Sequence, residues 1–195
     1  MNSQHNIMKT LKVLLLAGAI TFGFSSHAQT KNIEGIDFPT AISVNGKKTI
    51  LNGGGLRTKL IFLDLYVGAL YVQSKTKDPN KIIMADEEMG IRIEIASKLV
   101  TQERFIEALE EGFKNASSGK STVNDVQKFK DFLKDEFKKG DIIGLNYHSG
   151  DAVYLYKNNK QLGKFEGLPF KQALFSIWLG EVPAQESLKE EMLGN

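Results

Sequence analysis

The segment from Leu56 to Gln73 most constrains the fold, because it is almost continuously apolar and aromatic, interrupted only by Arg57, Thr58, Lys59 and Asp64. Side chains of this kind gain by leaving water, and their β-branched and aromatic character suits a pleated, buried surface. The stretch is expected to form two consecutive strands or one long bent strand, deeply buried. Just before it stands Asn52-Gly53-Gly54-Gly55, and before that Asn45-Gly46, between the alternating segments Ala41 to Val44 and Lys47 to Leu51. Asn-Gly supplies the two positive-φ positions of a type I′ turn, so this is a hairpin signal.

The rest of the chain reads as alternating units of strand and helix. Residues 29 to 34 are polar and expected to fray, followed by Gly35 to Pro39. Pro79 introduces a short helix around Lys81 to Ala85, and Ile91, Ile93 and Ile95 alternate with Arg92 and Glu94 as a half-buried strand. Thr101 can cap a helix whose Phe105, Ala108, Leu109 and Phe113 recur at helical spacing. A second amphipathic helix, 123 to 139, carries Val126, Phe129, Phe132, Leu133 and Phe137 on one face and stops at Gly140; its mixed charges indicate a solvated outer face. Three short strands follow, turning at Ser149-Gly150-Asp151 and at Asn158-Asn159, and helices over Phe170 to Leu179 and Ala184 to Leu193 close the chain. This order predicts an α+β domain: a large antiparallel sheet with a layer of helices packed mainly on one face, an open-faced sandwich.

Residues 1 to 28 belong to a different class of sequence. Lys9 and Lys12, with no acidic residue, precede an apolar run from Val13 to Phe24 and then Ser25-Ser26-His27-Ala28. A basic start, a short apolar run and a small-residue end form the pattern of a secretory signal peptide, with cleavage expected after Ala28 and export to the periplasm or beyond. Gly18, Thr21 and Gly23 interrupt the run, which is shorter than the roughly 20 apolar residues of a membrane span, so no stable membrane insertion is expected after cleavage. Residues 29 to 195 then form one domain. Removing Lys9 and Lys12 from the 25 basic residues leaves them balanced against 23 acidic ones. A neutral chain without a basic block offers no electrostatic footprint for nucleic acid. The absence of cysteine excludes a disulfide scaffold, a thiol nucleophile and a thiolate metal site.

Few residues carry the chemistry of catalysis. Beyond residue 28 the only histidine is His148, beside Ser149-Gly150-Asp151. Neighbours on a tight hairpin point apart, whereas a catalytic triad needs three side chains converging from separate elements. One histidine without cysteine also falls short of a transition-metal site. Gly53-Gly54-Gly55-Leu56-Arg57-Thr58 has Thr58 where a dinucleotide fingerprint needs glycine, and Lys48 stands where a P-loop needs Ser or Thr, so neither nucleotide motif is present. The glycines instead indicate a sharp bend and close approach between strands, or room for a ligand beside Arg57.

Arg57 is the most informative charge. It stands at the entrance to the most apolar segment, where a guanidinium is costly without an anionic partner. Asp64 or Glu94 could supply that partner, or Arg57 could anchor a carboxylate, enolate or phenolate of a bound molecule. Tyr66 and Tyr71 lie in the same segment, and core packing is their default role, each hydroxyl needing a partner. Strict alternation puts Arg57 and Tyr66 on opposite faces, so a bulge or turn, expected near Asp64, must intervene for them to converge.

The Gly53 to Arg57 segment, the strand ending Leu65-Tyr66-Val67-Gly68-Ala69-Leu70-Tyr71-Val72, and the closing Leu174-Phe175-Ser176-Ile177-Trp178-Leu179-Gly180 with Pro183 together resemble the chalcone isomerase family, especially its bacterial exported branch. The resemblance covers Gly35 to Leu193 and implies a large antiparallel sheet with a helical layer and a ligand between them. Its enzymes cyclise a chalcone with an arginine polarising the carbonyl, and its noncatalytic relatives bind fatty acids through an arginine and a tyrosine. By this resemblance Arg57 matches the arginine of both branches and Tyr66 lies near the fatty-acid tyrosine, at a shorter interval. Phe105 and Gly112 fall where the enzymes present a tyrosine and an asparagine, and Ile177 where they have a threonine or serine.

The resemblance therefore implies an arginine retained and a polar recognition set lost. The leading expectation is a noncatalytic protein that binds a fatty-acid-like or other amphipathic carboxylate, without cofactor or metal. Arg57 is its anchor and Tyr66 its donor, with Tyr71, Phe105 and Ile177 in the lining. The pocket is expected along strand 60 to 72 and the inner faces of the helices containing Phe105 and Phe170 to Trp178. The alternatives are an isomerase or intramolecular lyase acting on an enone, with Arg57 as its catalytic residue, and a partner-binding module whose arginine is only an internal ion pair.

Overall fold

The computed structural model describes residues 29–59 and 63–195. The segment read as a signal peptide therefore lies outside the described residues. Seven strands form one sheet in simple sequence order: β3 (Ala41–Val44), β4 (Lys47–Lys59), β5 (Leu63–Val72), β6 (Met89–Ile95), β7 (Ile142–Tyr147), β8 (Ala152–Lys157) and β9 (Lys160–Glu166). Every neighbouring pair is antiparallel. Five helices accompany it: α1 (Pro79–Met84), α2 (Gln102–Lys114), α3 (Val123–Phe132), α4 (Leu168–Leu179) and α5 (Glu186–Met192). This is the α+β architecture expected from the order of the elements.

The hairpin at Asn45-Gly46 forms as the dipeptide predicts, with φ of 50° and 77°. The apolar segment resolves into the end of β4 and the whole of β5, so it is two strands of one hairpin rather than one bent strand. Residues 60–62, between the two strands, lie outside the described residues.

Residues 29 to 34 do not fray. Thr30–Ile33 is a strand, β1, paired with β2 (Ile36–Pro39) through a turn at Glu34-Gly35, whose φ values are 50° and 79°. Ile33 and Phe38 bury against Leu51, Val67, Ala69 and Tyr71 on the outer face of β4 and β5. The apolar anchor is a single residue, Ile33, which leaves composition alone reading as polar. A second departure concerns α3, which ends at Phe132, well before Gly140. Phe137 still reaches the core from irregular backbone, and its ring meets Phe105 edge-on at 5.2 Å. Lys157 makes that break possible: its Nζ donates to the Glu136 carbonyl at 2.8 Å, supplying a partner that helical backbone would otherwise provide.

The main core lies between the inner sheet face and the helices. Helix α4 is its centre, with Ala173 to Leu179 all buried, which explains why that helix is apolar on most of its surface. Burial of each large side chain there contributes about 1.5–3 kcal/mol. Buried Lys171 fixes α1 onto α4 by donating to the carbonyls of Ile82, Ile83 and Ala85 at the end of α1, with its ammonium over the Phe175 ring at 5.1 Å.

The glycine run serves α5. A Cβ at Gly53 would collide with the Glu191 carbonyl oxygen, and one at Gly55 with the Glu191 carboxylate. The close approach is therefore mainly between a strand and a helix, and the space beside Gly53 and Gly55 is occupied by protein. Asn52, an extra residue in β4 where its register against β5 slips, donates to the Met192 carbonyl at 2.9 Å and locks α5 in place.

Candidate functional site

Arg57 and Tyr66 are directly opposite one another in the β4–β5 ladder. Cross-strand partners of an antiparallel pair share a face, so the odd interval of nine residues does not separate them once a hairpin turn lies between. The register slips immediately beyond them, from Arg57↔Tyr66 to Thr58↔Asp64, leaving Leu65 as the extra residue of β5. The irregularity expected near Asp64 is thus present, but the hairpin brings the two side chains together. Gln185, at the start of α5, holds the backbone on both sides of Arg57: it accepts from the Thr58 N–H at 2.9 Å and donates to the Leu56 carbonyl at 3.2 Å.

The Tyr66 hydroxyl is the centre of the arrangement. Its oxygen accepts the indole N–H of Trp178 at 2.8 Å and lies 3.4 Å from Arg57 Nη1. The guanidinium carbon sits 5.8 Å from the centre of the Tyr66 ring. Both lone pairs of the hydroxyl face donors, and among the described residues its own proton has no acceptor. Arg57 is half-buried, and among the described residues no carboxylate lies within ion-pair distance of it. Glu94 pairs with Arg92 on the opposite face at 3.5 Å, and Asp64 is exposed. Glu191 covers Gly55, two residues along the same face, and burial, followed by the charge of Glu34, raises its carboxyl pKa.

Apolar side chains of the helical layer pack into the core beside this pair. Phe105 of α2 meets the Tyr66 ring edge-on at 6.3 Å, and Phe137 continues the row. Ile177 wedges against Gly112, where a Cβ would come within 2.6 Å of its Cγ2, so it seals α2 to α4. Tyr71 does not join this group. Five residues along β5 from Tyr66, it points to the other face and donates its hydroxyl to the Pro39 carbonyl at 2.9 Å. Arg57, Tyr66 and Phe105 therefore come together, Ile177 supports them from between helices, and Tyr71 belongs to the second core under β1 and β2. Trp178, expected only within the helical lining, is the member whose hydrogen bond to Tyr66 residue-type reasoning missed. Its signal was available: a lone tryptophan on a mostly apolar helix needs an acceptor for its indole N–H.

The residues around His148 make no catalytic triad. His148 stacks on Tyr154 at 4.1 Å, Ser149 donates to the Asp86 carbonyl, and Asp151 accepts from Tyr154 at 2.6 Å. Among the described residues no cluster of three His, Cys, Asp or Glu side chains could hold a metal, and no helix is long and apolar enough to cross a membrane.

The family model for chalcone isomerase-like proteins matches residues 30–194. The chain belongs to the chalcone isomerase-like family. Its fold is similar to the crystal structure of the Arabidopsis thaliana fatty-acid binding protein AtFAP1, with a TM-score of 0.66 and 19% sequence identity over 85% of this chain and 96% of that one. Comparison with curated proteins returns no match. Within the family fold, Arg57 and Tyr66 occupy the inner face of the sheet, toward the helical layer, and Trp178 reaches them from α4.

Proposed function

We propose that this protein is an exported, noncatalytic member of the chalcone isomerase-like family that binds a fatty-acid-like carboxylate at Arg57 and Tyr66. One observation carries the reading: a half-buried guanidinium without a carboxylate partner among the described residues stands beside a tyrosine whose oxygen is already engaged and whose proton is available. Two donors converging on one place suit an anionic acceptor, and charge-assisted bonds of this kind are short and strong. An aliphatic tail entering beside Tyr66 would lie against the buried rings of Phe105, Phe137 and Trp178 and gain about 0.8 kcal/mol for each buried methylene. The similar fold of a protein described as fatty-acid binding supports the same ligand class.

The enone-isomerase reading shares Arg57, which could polarise a carbonyl. The apolar identities of Phe105, Gly112 and Ile177 argue against it, because they offer no hydroxyl or amide to orient a polyphenol. Native mass spectrometry of the purified protein tests the proposal: a co-purifying long-chain carboxylate lost in Arg57→Ala supports it, and turnover of a chalcone abolished by the same substitution replaces it with the enzyme reading. Export is tested separately by N-terminal sequencing of periplasmic protein, with Gln29 expected as the first residue.

A further inference from the structure

The outer face of the sheet holds a second, differently built site. A cleft of about 270 Å3 opens where β3 faces β6, β7 and β8, on the side of the sheet away from Arg57 and Tyr66. Arg92 of β6 borders it. Its neighbour across the ladder, Gly144, has no side chain, so the guanidinium has space that any other residue of β7 would fill. Tyr156 closes the far side of that space, since a Cβ on Gly144 would touch the Tyr156 Cβ at 3.4 Å.

The Arg92 guanidinium is short of acceptors. It carries five N–H donors, and among the described residues its contacts are one Glu94 oxygen at 3.5 Å and the Phe38 ring at 5.6 Å. Its Nε–H is buried without a partner. A single 3.5 Å contact is far from the paired, roughly 2.7–2.9 Å bonds of a fork-to-fork arginine–carboxylate pair. Ser43 and Asn146 add a hydroxyl and an amide at the rim that no other described side chain or backbone group engages. Ile42 and the Tyr156 ring supply apolar walls.

We propose that this cleft is a binding site for a small carboxylate carrying a compact apolar group, with Arg92 as its charge partner. The planar fork of the guanidinium matches a carboxylate in geometry. The volume lies just below the roughly 300–1,000 Å3 of typical small-molecule pockets, which matches a single ring better than a long acyl chain. The apolar walls distinguish the ligand from a bare inorganic anion, which would leave Ile42 and Tyr156 unmatched. The site is independent of the fatty-acid reading, because it lies on the other face of the sheet and uses none of its residues.

Benzoate is a suitable probe and benzamide its neutral control, each titrated into isotope-labelled protein at millimolar concentration and followed by amide chemical shifts. Saturable shifts at Ser43, Asn146 and Tyr156 are expected with benzoate and not with benzamide. Arg92→Gln should weaken that binding about tenfold or more, and Arg57→Ala should leave it unchanged. Gly144→Val, which fills the cleft and keeps the arginine, should abolish it and serves as the second test if Arg92→Gln does not fold. The proposal is overturned if benzoate produces no saturable shift, if benzamide binds equally well, if shifts appear only around Arg57 and Tyr66, or if both cleft variants bind as the parent does.

Discussion

Tyr66 and Tyr71 lie on the same strand, in the same apolar run, and are both buried, yet they are wired in opposite senses. Tyr71 donates its proton to the Pro39 carbonyl, and burial pushes its pKa up to about 12 despite the nearby positive charge of Arg92. Tyr66 accepts from Trp178 and faces Arg57, and no described residue takes its proton. The first hydroxyl is a closed structural bond between the sheet and the β1–β2 hairpin. The second is, among the described residues, a donor without an acceptor beside a guanidinium without a carboxylate. Equal burial thus says little about role; the direction of the hydrogen bond separates a tyrosine whose proton is spent from one whose proton is still to be given.

The sharpest way to break this comparison is to remove each ring. Tyr71→Ala should cost about 3–5 kcal/mol of stability, as large aromatic truncations do, while carboxylate binding to the folded fraction is retained. Chemical denaturation with calorimetry on the same samples checks both halves; a loss of affinity matching the loss of stability would mean that the two faces are not separable.

Arg57→Ala should show the reverse. Binding of a long-chain carboxylate should weaken by about 1.5–3 kcal/mol, the range for bonds to charged groups. Stability should change by about 0.5 kcal/mol or less, since the half-buried guanidinium has no carboxylate partner among the described residues. Unchanged affinity in a folded variant would place the ligand elsewhere.

Removing only the hydroxyls sharpens the contrast. Tyr66→Phe strands the Trp178 indole N–H, so a stability loss of about 1–3 kcal/mol is expected, with a smaller loss of binding than in Arg57→Ala. Tyr71→Phe should cost about 1 kcal/mol of stability and nothing in binding. Equal effects of the two on binding would erase the distinction.

The smallest effect is on alkaline stability. Tyr71 has a folded pKa of about 12 against an ordinary value of 10, so the unfolded chain loses this proton first as pH rises. The contribution of Tyr71 is fully present below pH 10 and falls progressively as pH rises towards 12. Tyr147 shifts the same way, by burial and then by its hydrogen bond to Asp86. Denaturation between pH 9 and pH 12 should show the alkaline loss reduced in Tyr71→Phe; an identical slope in the two proteins would contradict the burial that raises its pKa.

Local physics made much of this molecule legible in advance. Asn45-Gly46 forms its turn because only positive φ closes a two-residue hairpin without splaying the strands. Alternation over Ile91 to Ile95 places three isoleucines inward, as a half-buried strand must. Arg57 was identified by cost: a charge at the mouth of an apolar run requires a reason. Local signals were weaker where one residue carried the anchoring, as Ile33 does for β1, or where a distant side chain replaced helical bonds, as Lys157 does at the early end of α3.

The sequence by itself determined the class of the domain, most of the order of its strands and helices, and Arg57 as a charge needing a reason, because each follows from periodicity, turn chemistry or the expense of a buried charge; Tyr66 was singled out only by resemblance to the family. Tertiary structure alone decided that Tyr66 and not Tyr71 faces Arg57, that Trp178 takes the Tyr66 oxygen, that the glycines admit α5, and that Arg92 lies under a cleft formed with β3. These depend on ladder register and on the approach of segments distant in the chain, and a one-residue slip in register would exchange the faces of every side chain beyond it.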